Sequence, residues 1–176
     1  MNIAARVTAG LALVLSLSSV VPVPAGEPAD FPLSSPATAP AAKPGDPPPV
    51  AWRTFREAKA EARHLDRPVL VFFSAAWKAS SVRLDRETWS DPGVRRYLDE
   101  HIVASTVDMQ DMPAVAKHFG IAEPPAILLL APDGTQVAML RGFHKPEAVI
   151  RVCTFAATKA WEYTDYDTWL SHNLGR

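Results

Sequence analysis

Along this chain the apolar and polar positions change rhythm several times, and each change marks an element. Val69–Ser74, V-L-V-F-F-S, is apolar almost without a break and follows Pro68. Such a run predicts a short strand buried on both faces. Before it, Trp52, Phe55, Ala58, Ala62 and Leu65 recur at helical spacing among Arg, Glu and Lys. That spacing predicts a helix over Trp52–Leu65, ended by Asp66-Arg67-Pro68. A second helix pattern runs from about Ala79 to Arg86. Ser90-Asp91-Pro92 places a capping side chain ahead of a proline suited to the first turn, and predicts a helix to about Asp99. Ile102–Val107 reads as a second strand, Met112–Phe119 as a short helix closed by Gly120, and Ala126–Leu130 as a third strand. The turn Pro132-Asp133-Gly134 joins that strand to a fourth at Gln136–Arg141. Pro146 opens a helix to about Lys159, with Val149, Val152, Cys153 and Ala156 on one face. Tyr166, Trp169 and Leu170 share a face of a further short helix beginning near Asp165, which is expected to pack back on the domain. Parallel strands joined through helices, then a hairpin and a closing helix, give an α/β domain with a mixed four-stranded sheet flanked by helices.

The first 49 residues follow no such rhythm. A basic start at Met1–Arg6, an apolar run over Val7–Val21 and the small residues of Val23-Pro24-Ala25 have the pattern of a secretory signal peptide over 1–25. The run is short for a membrane span, and the expectation is cleavage near Ala25 with no membrane attachment afterwards. Prolines at 24, 28, 32, 36, 40 and 44 sit among Ala, Ser, Thr and Gly, so residues 26–49 read as an extended linker that cannot bury enough apolar area to fold. The folded domain is expected over 50–176.

Charge narrows the function classes. With 18 basic and 19 acidic residues the net charge is −1, which leaves no footprint for nucleic acid or an anionic membrane. Cys153 is the single cysteine, so no disulfide can form within the chain. Its flanks, Val152 and Phe155, predict a buried small hydrophobe. His64, His101, His118, His144 and His172 are scattered without metal-ligand spacing, and no metal or cofactor is assigned. Asp108, Met109, Asp111 and Met112 follow the second strand and read as solvated loop residues.

Four segments in order carry a family resemblance: R-P-V-L-V-F-F-S-A-A-W at 67–77, T-W-S-D-P-G-V at 88–94, F-G-I-A-E-P-P-A-I-L-L-L at 119–130, and P-D-G followed by a strand and R-G-F at 141–143. Over about Trp52–Thr158 the chain resembles the thioredoxin superfamily. It is most similar to the secreted or periplasmic branch typified by the C-terminal domain of bacterial thiol:disulfide interchange reductases. The resemblance implies a thioredoxin-like fold. It also implies a W-C-x-x-C motif after the first strand, whose first cysteine attacks as a thiolate acidified at a helix N-terminus. Aligned on Trp77, this chain has Lys78 and Ser81 at the two cysteine positions. Two acids that the family often carries nearby align with Phe72 and Ala76. Dithiol exchange is therefore not expected. Pro125 matches the family's cis proline. The preceding residue, whose backbone pairs with an extended substrate in the family, is Pro124, which offers a C=O but no N–H.

The resulting expectation is a secreted or periplasmic, redox-inactive domain, not an enzyme, that binds a protein or peptide through Trp77, Lys78, Ser81, Pro124 and Pro125. Lys78 would stand at the positive end of a helix, where the dipole disfavours its charge. Lys78 and Ser81 have the residue types of a Ser/Lys acyl-transfer dyad, but in reversed order and without an oxyanion-hole sequence. An oxidoreductase acting through Cys153 alone and a purely structural module are the alternatives.

Overall fold

The computed structural model describes residues 47–174. The signal segment and the linker before residue 47 lie outside the described residues. The first helix, α1, spans Phe55–Leu65, so Trp52 precedes it, contrary to the expected start. Two local interactions decide this. Thr54 caps the helix, its hydroxyl accepting the Glu57 N–H at 3.3 Å while the Glu57 carboxylate accepts the Thr54 N–H at 3.0 Å. Arg53 meanwhile bridges to the sheet beside Ser105, donating its N–H to Ala104 at 3.0 Å. Ala58 and Ala62 are buried as the spacing predicts, but Leu65 is exposed, because the chain leaves the helix through a left-handed Asp66.

β1 (Val69–Ser74) leads to α2 (Ala79–Glu87) and α3 (Pro92–His101). β2 (Val103–Asp108), α4 (Pro113–His118), β3 (Ala126–Leu130) and β4 (Gln136–Arg141) follow, and α5 (Pro146–Ala157) and α6 (Tyr166–Leu174) close the chain. β1, β3 and β4 fall where the sequence places them. β2 begins one residue later than its apolar run, because Ile102 closes α3 by donating its N–H to Leu98 at 2.9 Å. The sheet order is β2-β1-β3-β4, with β1 parallel to β2 and antiparallel to β3, and β3 antiparallel to β4.

The central strands are buried on both faces, and their alternation divides the core. Leu70, Phe72, Ile127 and Leu129 face one layer, which contains Leu98 of α3 and Val152 and Phe155 of α5. Val69, Val71, Phe73, Leu128 and Leu130 face the other, with Ala58 and Ala62 of α1 and Ala116 of α4. The final helix returns to the first layer: the rings of Tyr166 and Trp169 lie 5.4 and 5.6 Å from that of Phe155.

Candidate functional site

β1 ends at Ser74, and the turn that follows sets Lys78 as the N-cap of α2. Lys78 donates its N–H to Ala75 at 3.0 Å, and its C=O accepts the N–H groups of Ser81 and Val82 at 2.9 and 3.2 Å. No side chain caps this helix start and no acid lies in its first turn. The amide end therefore keeps its partial positive charge, with a lysine standing on it.

Ser81 faces inward. It is 2% exposed, and its hydroxyl accepts the Ala75 N–H at 3.4 Å, tying the turn to the helix from beneath. It is thus withdrawn from the surface on which the sequence reading grouped it. The signal was available: Ser81, Leu84 and Thr88 recur at helical spacing, and all three are buried. Trp77 does the opposite and is 62% exposed. Lys78 reaches across the turn, its Nζ 5.7 Å from the Trp77 ring centre and 3.6 Å from the Glu123 carboxylate.

Pro124 and Pro125 are buried, the peptide bond between them is cis, and they lead into β3. The Pro125 carbonyl is taken by the Gly142 N–H at 2.8 Å. A groove lined by Lys78, Ser80, Glu123, Pro124, Pro125 and Arg141 brings the helix start, the paired prolines and the end of β4 together. Lys78, Pro124 and Pro125 were legible beforehand. Glu123 and Arg141 were not assigned to a site, because their meeting with Lys78 depends on the strand order.

Beneath the turn, apart from the Ser81 hydroxyl, the packing is apolar. Phe72 is 2% exposed and packs against Trp52 and Trp89, with ring centres 5.9 and 5.2 Å away. Cys153 lies fully buried on α5, where burial pushes its thiol far above the usual range. Among the described residues no group of three His, Cys, Asp or Glu side chains gathers as a metal site, and no helix is long and apolar enough to cross a membrane.

Residues 51–132 match a family model described as thioredoxin-like. The chain is 31% identical over 98 residues to the thiol:disulfide interchange protein DsbD of Ralstonia nicotianae, a match covering 53% of this chain and 16% of that protein. It is 32% identical over 87 residues to the thiol:disulfide interchange protein DsbD 1 of Pseudomonas aeruginosa, covering 48% and 15%. The match thus spans a small fraction of the curated relatives' length. Among solved structures, a thioredoxin from Thermus thermophilus superposes with a TM-score of 0.57 at 23% identity, covering 64% of this chain and 94% of that one. The DsbH oxidoreductase superposes with a TM-score of 0.57 at 14% identity, covering 70% and 95%. At those identities the two structures share the fold with this chain.

Proposed function

We propose, from the premise that the chain carries a thioredoxin-like domain related to the disulfide-interchange proteins, that this domain binds an extended protein or peptide segment and performs no dithiol exchange. The observation that carries the reading is the start of α2, where Lys78 and Ser81 hold the seats that the family resemblance gives to two cysteines. Exchange proceeds by attack of a thiolate on a disulfide sulfur through a mixed disulfide. A buried serine hydroxyl and a lysine supply neither the nucleophile nor the resolving thiol. What remains is the recognition half of such a site, namely an exposed Trp77, a groove beside Pro124 and Pro125, and cations along it. Pro124 lacks an N–H, so its backbone contributes only a C=O, and a bound segment must donate to it.

The leader-like sequence over 1–25 supports a working place in the cell envelope or the secreted space. Action through Cys153 alone is disfavoured, because a partner disulfide has no access to a thiol with no exposed surface. Insulin reduction by dithiothreitol tests the reading: the chain leaves the uncatalysed rate unchanged, and accelerated turnover refutes it.

A further inference from the structure

A second hollow lies against α4, lined by Met109, Pro113, Ala116, Lys117, Gly120 and Ile121. Exposed Ala122 borders both this hollow and the groove at Pro124 and Pro125. Arg141 joins them as well, since it lines the groove while its guanidinium donates to the Gly120 carbonyl of the second hollow at 3.3 Å. The two depressions therefore form one track whose halves differ in chemistry. The α4 half is apolar with one cation, Lys117. The other half holds Lys78 and Arg141 and a single acid, Glu123. That acid is 81% exposed and rests 3.6 Å from Lys78, too exposed for a tight ion pair, so its carboxylate is readily exchanged for another.

Resting on the binding reading above, we infer that the track takes an extended acidic segment. One apolar side chain of the segment seats against Met109 and Ile121, and a following carboxylate meets Lys78 in place of Glu123. The occupant is chosen by charge complementarity: three cations border the track against one acid, although the whole chain carries a net charge of −1.

Fluorescence anisotropy of the full chain with labelled hexapeptides tests this. Ser-Thr-Leu-Asp-Glu-Thr is compared with its neutral counterpart Ser-Thr-Leu-Asn-Gln-Thr and with Ser-Thr-Ser-Asp-Glu-Thr, which lacks the apolar anchor. The first binds about tenfold more tightly than either other peptide, and added salt shrinks its lead over the neutral one. Glu123→Gln tightens the acidic peptides by about threefold and leaves the neutral one unchanged. Ala122→Asp, at an exposed position where folding is unaffected, removes the preference. Equal binding of all three peptides overturns the acidic-segment inference and leaves the binding reading standing. Binding of none overturns both. Self-association of the chain that Ala122→Asp breaks gives the track to a second copy and overturns the inference.

Discussion

Phe72 sits midway along β1 against the rings of Trp52 and Trp89, at the position where the family resemblance implies an acid. The aromatic packing leaves no partner for a charge there. Phe72→Asp is expected to cost about 3–5 kcal/mol of unfolding free energy at neutral pH, read by urea denaturation. The new carboxyl's folded-state pKa would be raised, so the loss shrinks as pH falls from neutrality and levels off below about pH 4, where the unfolded chain also holds the proton. A cost below about 1 kcal/mol at pH 7 would show that the site tolerates the acid. At this scale the sequence showed what was missing more clearly than what replaced it. The absence of cysteine at 78 and 81 was plain from the letters. The burial of Ser81 depended on helix phase, and the approach of Glu123 to Lys78 depended on a contact between distant segments.

Elements differ in how locally they are determined. β1, β3 and β4 are short apolar or alternating runs between turn residues, and their limits agree with the pattern. α1 shows the opposite case: Trp52 continues the apolar spacing but is drawn out of the helix by the Thr54 cap and by the pairing of Arg53 with the sheet. Propensity cannot foresee a backbone claimed by a strand that comes fifty residues later. α6 packs its rings on Phe155 and is capped at its start by Asp165. The Asp165 carboxylate accepts the Thr168 N–H at 2.9 Å and the Thr168 hydroxyl at 2.8 Å, and these bonds hold its pKa below the usual carboxylate value. A depressed folded-state pKa contributes stability above the unfolded value of about 4, and that contribution is lost as pH falls through the folded one. Acid titration is therefore expected to loosen α6 before the sheet, seen as a change in the near-ultraviolet circular dichroism of Tyr166 and Trp169. Asp165→Ala should show the loosened spectrum already at pH 7, and an unchanged spectrum would remove Asp165 from this role.

For the molecule as a whole, the two-sided burial of the sheet was readable from the unbroken apolar runs, whereas the groove arises only when β1, β3 and β4 are laid side by side. Cys153 belongs to this scale because it lies in the core between α5 and the sheet. Its thiol is raised by burial and stays protonated in the fold, while the unfolded chain ionises near pH 8.5. The unfolded state thus binds fewer protons at alkaline pH, and stability falls as pH rises past that value, by up to about 1.4 kcal/mol per pH unit from this group. Urea denaturation between about pH 7.5 and 9.5 should show that slope in the natural chain and a flatter one in Cys153→Ala. Equal slopes would mean that the thiol ionises within the fold.

The chain arrives at the domain beside α3, where the Pro47 carbonyl accepts from Arg95, and it then runs along β2 in parallel from that strand's first residues. Because β2 is parallel to β1, this arrival is at the pole where β1 begins. The track of Lys78, Ala122 and Arg141 opens at the far pole, roughly a strand's length of 17–20 Å away. A segment seated in the track therefore lies at the opposite end of the sheet from the Pro47–Arg95 contact and leaves that contact untouched.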